Sequence, residues 1–248
     1  DYKKREMEPI KELKGKTVAI VGMGASWFDY NLAKSHGSHF DEVWAINAVG
    51  TVIFHDRVFM MDPPSRFLDS DDAGGQTEGM RKLLKENGKP IYTCELDKRC
   101  KNLQLYPIDE VLKDLQSSYL NNTVAYAVAF ALWNQVDVLK VFGIDFSYKG
   151  NLYFAEAGRG CVEFWLSKCM MSGMTVEIAN TSTLLDASVP LDEKLYGYHR
   201  LDDPLVPVIN NGVLSTKKVS DGKKQEVDKK PVLIGRHENI KIGEPNKW

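Results

Sequence analysis

No apolar run in the 248 residues approaches the roughly 20 needed to cross a bilayer, and no charged, apolar, small-residue leader opens the chain. These two absences predict a soluble, cytoplasmic protein without a membrane partner. An excess of one charge is missing too. The chain carries 32 basic and 34 acidic residues, a formal net charge of −2, so nothing global draws it to nucleic acid. Cysteine is scarce: Cys94, Cys100, Cys161 and Cys169 have neither C-x-x-C spacing nor nearby histidines, which argues against zinc and for reduced thiols. Cys161 and Cys169, eight apart in a predicted helix, read as packing residues. The third glycine of a dinucleotide fingerprint is lacking as well, because Trp27 stands where G-x-G-x-x-G counted from Gly22 requires it.

What is present begins with Thr17-Val18-Ala19-Ile20-Val21-Gly22-Met23-Gly24-Ala25-Ser26, a buried apolar run that breaks into a glycine turn. Gly22 and Gly24 remove the Cβ atoms that would keep a diphosphate off the backbone, and a helix after them would aim its unpaired N–H groups at that charge. The alternative is a tight turn that binds nothing. A composition of 43% hydrophobic and 27% charged residues suits a soluble globule, and the β-α alternation that follows predicts a doubly wound, mostly parallel Rossmann-like α/β sheet. Predicted strands cover 18–21, 42–47, 57–62, 90–94, 138–145 and 176–180, and predicted helices cover 29–36, 78–87, about 123–133 and 158–172. Residues 70–79 read as an exposed loop, with Asp69, Asp71 and Asp72 as solvated carboxylates. Residues 1–14 are a leader and 15–200 the nucleotide-binding domain. Residues 201–248, rich in proline and lysine, are an extended arm suited to holding subunits of a homo-oligomer.

Several strands end on a glycine turn or a polar residue: Gly22–Ser26, Asn47, Asp62, Asp145 and Asn180. Carboxyl ends of parallel strands carry the ligand crevice, so these residues are expected to share one rim. Asn47 can both donate and accept toward a base, ribose or sugar. Asn122 and Thr123 are either plain helix caps or caps that also hold a phosphate. Asp62 and Asp145 suit a general base or a Mg²⁺ contact, and equally a solvated turn. The run 146–159 reads as an acceptor-side lid in which Tyr153 and Glu156 are candidate bases and Arg159 a phosphate partner. His199 is a further candidate to return to the site.

Three pieces, Val21-Gly22-Met23-Gly24-Ala25-Ser26, the strand ending at Asn47, and Asn122-Thr123 feeding Val141-Phe142-Gly143-Ile144-Asp145-Phe146, resemble the Rossmann-like bacterial sialyltransferases. They also resemble the related motility-associated and pterin-pyrophosphokinase-like domains and phage-encoded proteins of similar layout. The resemblance spans about residues 17–185 and implies nucleotide contacts at Gly22, Gly24, Ser26, Asn47, Asn122 and Thr123, beside the 143–145 strand end. Two departures bear on the sugar: the turn reads Gly-Ala-Ser rather than Gly-Pro-Ser, and the loop after Asp145 lacks the histidine base. The expected activity is therefore transfer of a sugar from a nucleotide-sugar donor to an acceptor hydroxyl, the sugar left open. Mg²⁺-dependent pyrophosphoryl or phosphoryl transfer, and a non-catalytic nucleotide-binding assembly protein, are the alternatives. Gly22→Val is expected to abolish nucleotide binding and spare the fold.

Overall fold

The computed structural model describes residues 7–147, 150–197 and 205–219. The chain divides into two compact units, Asp1–Pro190 and Leu191–Trp248. In the first, seven strands form one sheet: β1 (Thr17–Val21), β2 (Glu42–Ile46), β3 (Arg57–Phe59), β4 (Ile91–Thr93), β5 (Leu103–Leu105), β6 (Val138–Phe142) and β7 (Thr175–Ile178). Every pairing is parallel, in the order β5-β4-β3-β2-β1-β6-β7. Six helices accompany it: α1 (Trp27–Ser35), α2 (Ser65–Leu68), α3 (Thr77–Glu86), α4 (Ile108–Leu115), α5 (Thr123–Trp133) and α6 (Leu152–Met171).

Both faces of this sheet are covered, and the sequence shows why. Along β1, Val18 and Ile20 join the core shared with α4, α5 and α6, whereas Ala19 and Val21 join the core shared with α1 and α3. Side chains alternate across a strand, so a sheet buried on both sides needs an unbroken apolar run, as β1 and β2 supply. Helix α5 is apolar nearly all round because it is enclosed, and its alanines 125, 127, 129 and 131 let it lie close to the strands. Phe130 anchors it, its ring 5.6 Å from Trp44, 5.4 Å from Phe59 and 4.8 Å from Tyr92. Across β2 and β3, Arg57 Nε and Nη2 donate to Glu42 at 2.7 and 2.9 Å, while Trp44 Nε1 donates to the same carboxylate at 2.7 Å. The strands are thereby locked by side chains as well as by the ladder.

The strand order places the site. From β1 the chain steps outward through β2, β3, β4 and β5, then returns by α5 to β6 on the other flank of β1. Connections leaving β1 and β6 thus run in opposite directions and open a crevice at their carboxyl ends.

Several boundaries differ from expectation. Helix α6 begins at Leu152, six residues before the predicted Gly158, because Asn151 Oδ1 caps it by accepting from the Phe154 amide at 3.0 Å. The part of the expected lid from Leu152 onward is therefore the first two turns of a helix. The loop at 70–79 contains a 3-10 turn at Gly74–Gln76 and the start of α3. Strand β5 and helix α4 were not expected; β5 is a three-residue edge with Gln104 and Leu105 exposed, too short to show a period.

In the second unit, a short helix α7 (Leu191–Lys194) precedes an antiparallel hairpin of β8 (Leu205–Asn210) and β9 (Val213–Lys218). Asn211 and Gly212 make its turn with φ of 52° and 79°, the left-handed pair that a two-residue hairpin requires. Part of the segment expected to be an extended arm is thus a hairpin. The lysine run beyond Lys218 lies outside the described residues, as do Tyr148, Lys149 and His199.

Phe130→Ala, which empties the ring cluster, is expected to lower unfolding free energy by about 3–5 kcal/mol in urea titration. Val52→Ala, at a side chain 72% exposed, should change it by less than about 0.5 kcal/mol. Equal effects would contradict this placement of the core.

Candidate functional site

A cavity of about 910 Å³ opens where the carboxyl ends of β1, β2, β3 and β6 meet the start of α5 and one flank of α6. Gly22, Gly24, Asn47, Asp62, Asn122, Thr123 and Asp145 all line it, so most of the expected rim converges. Asn180 does not. It borders a separate cavity of about 330 Å³ beside Asp29 and Lys140, because β7 lies one strand beyond β6.

The glycine turn is built for contact with protein. A Cβ on Gly22 would stand 2.5 Å from the carbonyl oxygen of Gly143, and Gly143 itself has φ +67° and packs against the Gly22 carbonyl. A Cβ on Gly24 would strike the Asp145 carboxylate and come within 2.8 Å of the Gly143 oxygen. Four hydrogen bonds join the two strand ends. Gly22 N–H donates to Phe142 O at 2.9 Å and Gly24 N–H to Gly143 O at 2.7 Å. Ser26 N–H donates to Asp145 Oδ2 at 2.8 Å, and Gly143 N–H donates to Ser26 Oγ at 2.9 Å. Ser26 is fully buried behind the turn and does not line the cavity. The place of the missing third glycine is explained as well: the Trp27 Cβ is 3.0 Å from where a Cβ on Gly143 would be, so the glycine that permits close packing comes from the turn after β6.

Counting backbone donors shows where a negative charge can be met. The amides of Trp27, Phe28 and Asp29 donate to the carbonyls of Gly24, Ala25 and Ser26, so the first turn of α1 does not offer them as expected. Among the described residues, the amides of Met23 and Ala25 have no partner, nor do those of Thr123 and Val124 at the start of α5. Thr123 and Val124 both line the cavity. Asn122 Oδ1 caps α5 by accepting from Ala125 N–H at 3.0 Å, while its Nδ2 donates to Gly158 O of α6 at 3.2 Å. The first amides of this 11-residue helix are of the kind that can bind an oxyanion.

Acceptors are left over too. Asn47 has φ 52° just beyond β2, and its buried Oδ1 has no partner. Asp145 is 6% exposed, and its Oδ1 is likewise buried without a partner. A buried polar atom without a hydrogen bond costs about 1–3 kcal/mol, and two of the residues that carry such an acceptor, Asn47 and Asp145, line the cavity.

The other expected residues fall differently. On α6, Phe154, Ala157 and Gly158 share the face that lines the cavity, and the Phe146 ring packs over Gly158, where a Cβ would come within 2.5 Å of it. Tyr153 and Glu156 are exposed and do not line the cavity. Arg159 is also off the lining; its Nε donates to Glu163 at 2.8 Å and its Nη2 to Asp186 at 2.7 Å, which holds its guanidinium more firmly charged. The Asp62 carboxylate pairs with Arg66, and no group of three metal-ligating side chains occurs among the described residues.

Arg66, Phe67 and Gln76, which also line the cavity, were not anticipated. Arg66 and Phe67 follow Pro63-Pro64, where proline both ends the strand and starts a helix, and α2 follows directly. Cys94 is an exposed thiol that also lines the cavity, whereas Cys161 and Cys169 are buried packing residues, burial pushing the Cys169 thiol up to about 12.

No protein-family model and no curated protein matches the chain. Among solved structures it is similar to the sialyltransferase CstII from Campylobacter jejuni in complex with the substrate analogue CMP-3FNeuAc, at 17% identity and a TM-score of 0.46, covering 68% of this chain and 83% of the other. It is also similar to an alpha-2,3-sialyltransferase from Campylobacter jejuni in apo form, at 15% identity and a TM-score of 0.45, covering 74% and 84%.

The Gly22–Gly143 contact corrects the expectation that Gly22→Val spares the fold. That variant is now expected to lose about 3 kcal/mol or more of stability, or to fail to fold, because backbone atoms cannot make room. Ser26→Ala, which leaves the buried Gly143 amide without an acceptor, should cost about 1–3 kcal/mol in urea titration. A Gly22→Val protein of unchanged stability would contradict the contact.

Proposed function

We propose that the chain is a nucleotide-sugar-dependent glycosyltransferase-like enzyme. The observation that carries this reading is the pairing, in one cavity at the sheet's switch point, of unpaired helix-start amides with two buried unpaired acceptors. Phosphate needs the former, and hydroxyl or amino groups of a nucleoside or sugar need the latter. The segments that resemble the Rossmann-like sialyltransferases all contribute to that cavity. About 910 Å³ is near the upper end of small-molecule sites, enough for a donor and an acceptor together.

In this reading the donor phosphate lies on the amides of Thr123 and Val124 beside the Met23–Ala25 turn, and Asn47 reads the nucleoside. The acceptor hydroxyl attacks the anomeric carbon as the bond from that carbon to the phosphate oxygen breaks, and the phosphate leaves with the electron pair. Preorganised amides meet the charge that develops there. Of the four candidate bases, Asp62 and Asp145 line the cavity; Asp62 is paired with Arg66, and Asp145, with one carboxylate oxygen unpaired, takes the hydroxyl proton in this reading.

A thermal-shift panel of CMP, UDP, GDP and ADP, each with and without Mg²⁺, tests the assignment. A true donor base at about 100 times its dissociation constant adds roughly 2.7 kcal/mol. The same nucleotide should slow iodoacetamide labelling of Cys94, which borders the cavity, and the sugar conjugate of that nucleotide should transfer its sugar to an acceptor hydroxyl with release of the nucleotide. No stabilisation by any of them, with Cys94 labelled at an unchanged rate, would refute it.

A further inference from the structure

Charge in the cavity is unbalanced against the ligand just proposed. Among the described residues that line it, Asp62 and Asp145 are the carboxylates and Arg66 is the one cation. A phosphate entering this space meets two negative charges, and inside a cavity they are screened less than at an open surface. Arg66 is half-exposed, with 44% of its side chain in solvent, and rests on the Asp62 carboxylate with Asp72 at 3.7 Å. An exposed pair of this kind contributes little to stability, so its guanidinium is free to exchange one oxyanion for another.

The segment that carries Arg66 is itself held by arginines. Arg81 Nε donates to Phe67 O at 2.6 Å, and its Nη2 donates to Ser70 O at 3.1 Å and to Asp71 at 2.6 Å. Arg99 Nη2 donates to Asp69 at 2.8 Å and also to Asp97, which it holds down to about 2. Arg57 and Arg159 are paired with Glu42 and with Glu163 and Asp186. Arg81 and Arg99 thus fasten the strap over 65–72, and of these five arginines Arg66 alone faces the cavity.

We propose that Arg66 is the anion-selecting residue of this cavity: parked on Asp62 in the free protein, its guanidinium moves to the phosphate of the incoming nucleotide. The inference rests on the nucleotide-sugar reading and adds a residue outside the segments that carry the resemblance. Guanidinium is suited to the exchange because its planar donors grip a carboxylate and a phosphate with the same geometry. Asp62 then acts as a competitor for Arg66, and the two residues have opposite effects on affinity.

Titration calorimetry on the full chain with cytidine, CMP, uridine and UMP tests this. Arg66→Gln is expected to weaken the monophosphate that binds wild-type protein by about tenfold and to leave the matching nucleoside unchanged. The loss should shrink at high salt. Asp62→Asn should tighten the same monophosphate severalfold, and Arg66→Lys should restore part of what Arg66→Gln loses. Equal monophosphate affinity in wild type and Arg66→Gln overturns the proposal while the nucleotide-sugar reading stands. Weakening by both Arg66→Gln and Asp62→Asn, with the nucleoside weakened alike, also overturns it, since a pair that only shapes the strap would behave so. Wild-type protein that binds none of the four, nor any other nucleotide, overturns the reading and this inference together.

Discussion

The turns that follow β1 and β6 touch backbone to backbone, and the geometry of the site depends on that contact. Gly143, with φ +67°, lies against the Gly22 carbonyl, and any Cβ at either residue would overlap main-chain atoms of the other. Hydrogen bonds through Ser26 and Asp145 then close the junction from behind. One consequence is steric: the two strands adjacent at the switch point can end at the same level only because both turns lack side chains there. A second is electrostatic. Ser26 N–H occupies one oxygen of Asp145 and leaves the other buried and unpaired.

Hydrogen-bond accounting separates what serves the fold from what is left for a ligand. The first amides of α1 are consumed locally, whereas those at the start of α5 are spared because Asn122 caps a later one and anchors itself to α6 through Gly158. Residues with amides for an oxyanion and residues with unpaired acceptors thus line one cavity, held by elements that pack from both faces of the sheet. Protein folds do not ordinarily leave such groups unpaired in the interior. The strap that carries Arg66 adds the positive charge that this wall otherwise lacks.

Much of this was legible from the sequence where burial is symmetric. Strands β1 and β2 and helix α5 are continuous apolar runs with clear stops, and the parallel sheet follows from their alternation with helices. Strand-end polarity located Asn47, Asp62 and Asp145 because a crevice at that end of the sheet is a property of the topology. Reading failed where a side chain decided the boundary. Asn151 starts α6 six residues early, and helical spacing then turns Phe154 and Gly158 toward the cavity, with Tyr153 and Glu156 left exposed. Asn211-Gly212 is a strong local hairpin signal, in a segment whose prolines and lysines suggested an extended arm. The packing contact of Gly22 had no such signal: its partner, Gly143, is distant in sequence, and a contact of that kind has no local pattern.

Backbone amide shifts followed by NMR during titration with the nucleotide that stabilises the protein test the central claim most directly. The account predicts that the amides of Met23, Ala25, Thr123 and Val124 and the side-chain amide of Asn47 shift together along one saturation curve, with Asp29 and Thr181 at the second cavity unmoved. Shifts centred on Asp29 and Thr181, or nucleotide binding that leaves the start of α5 unperturbed, would contradict it.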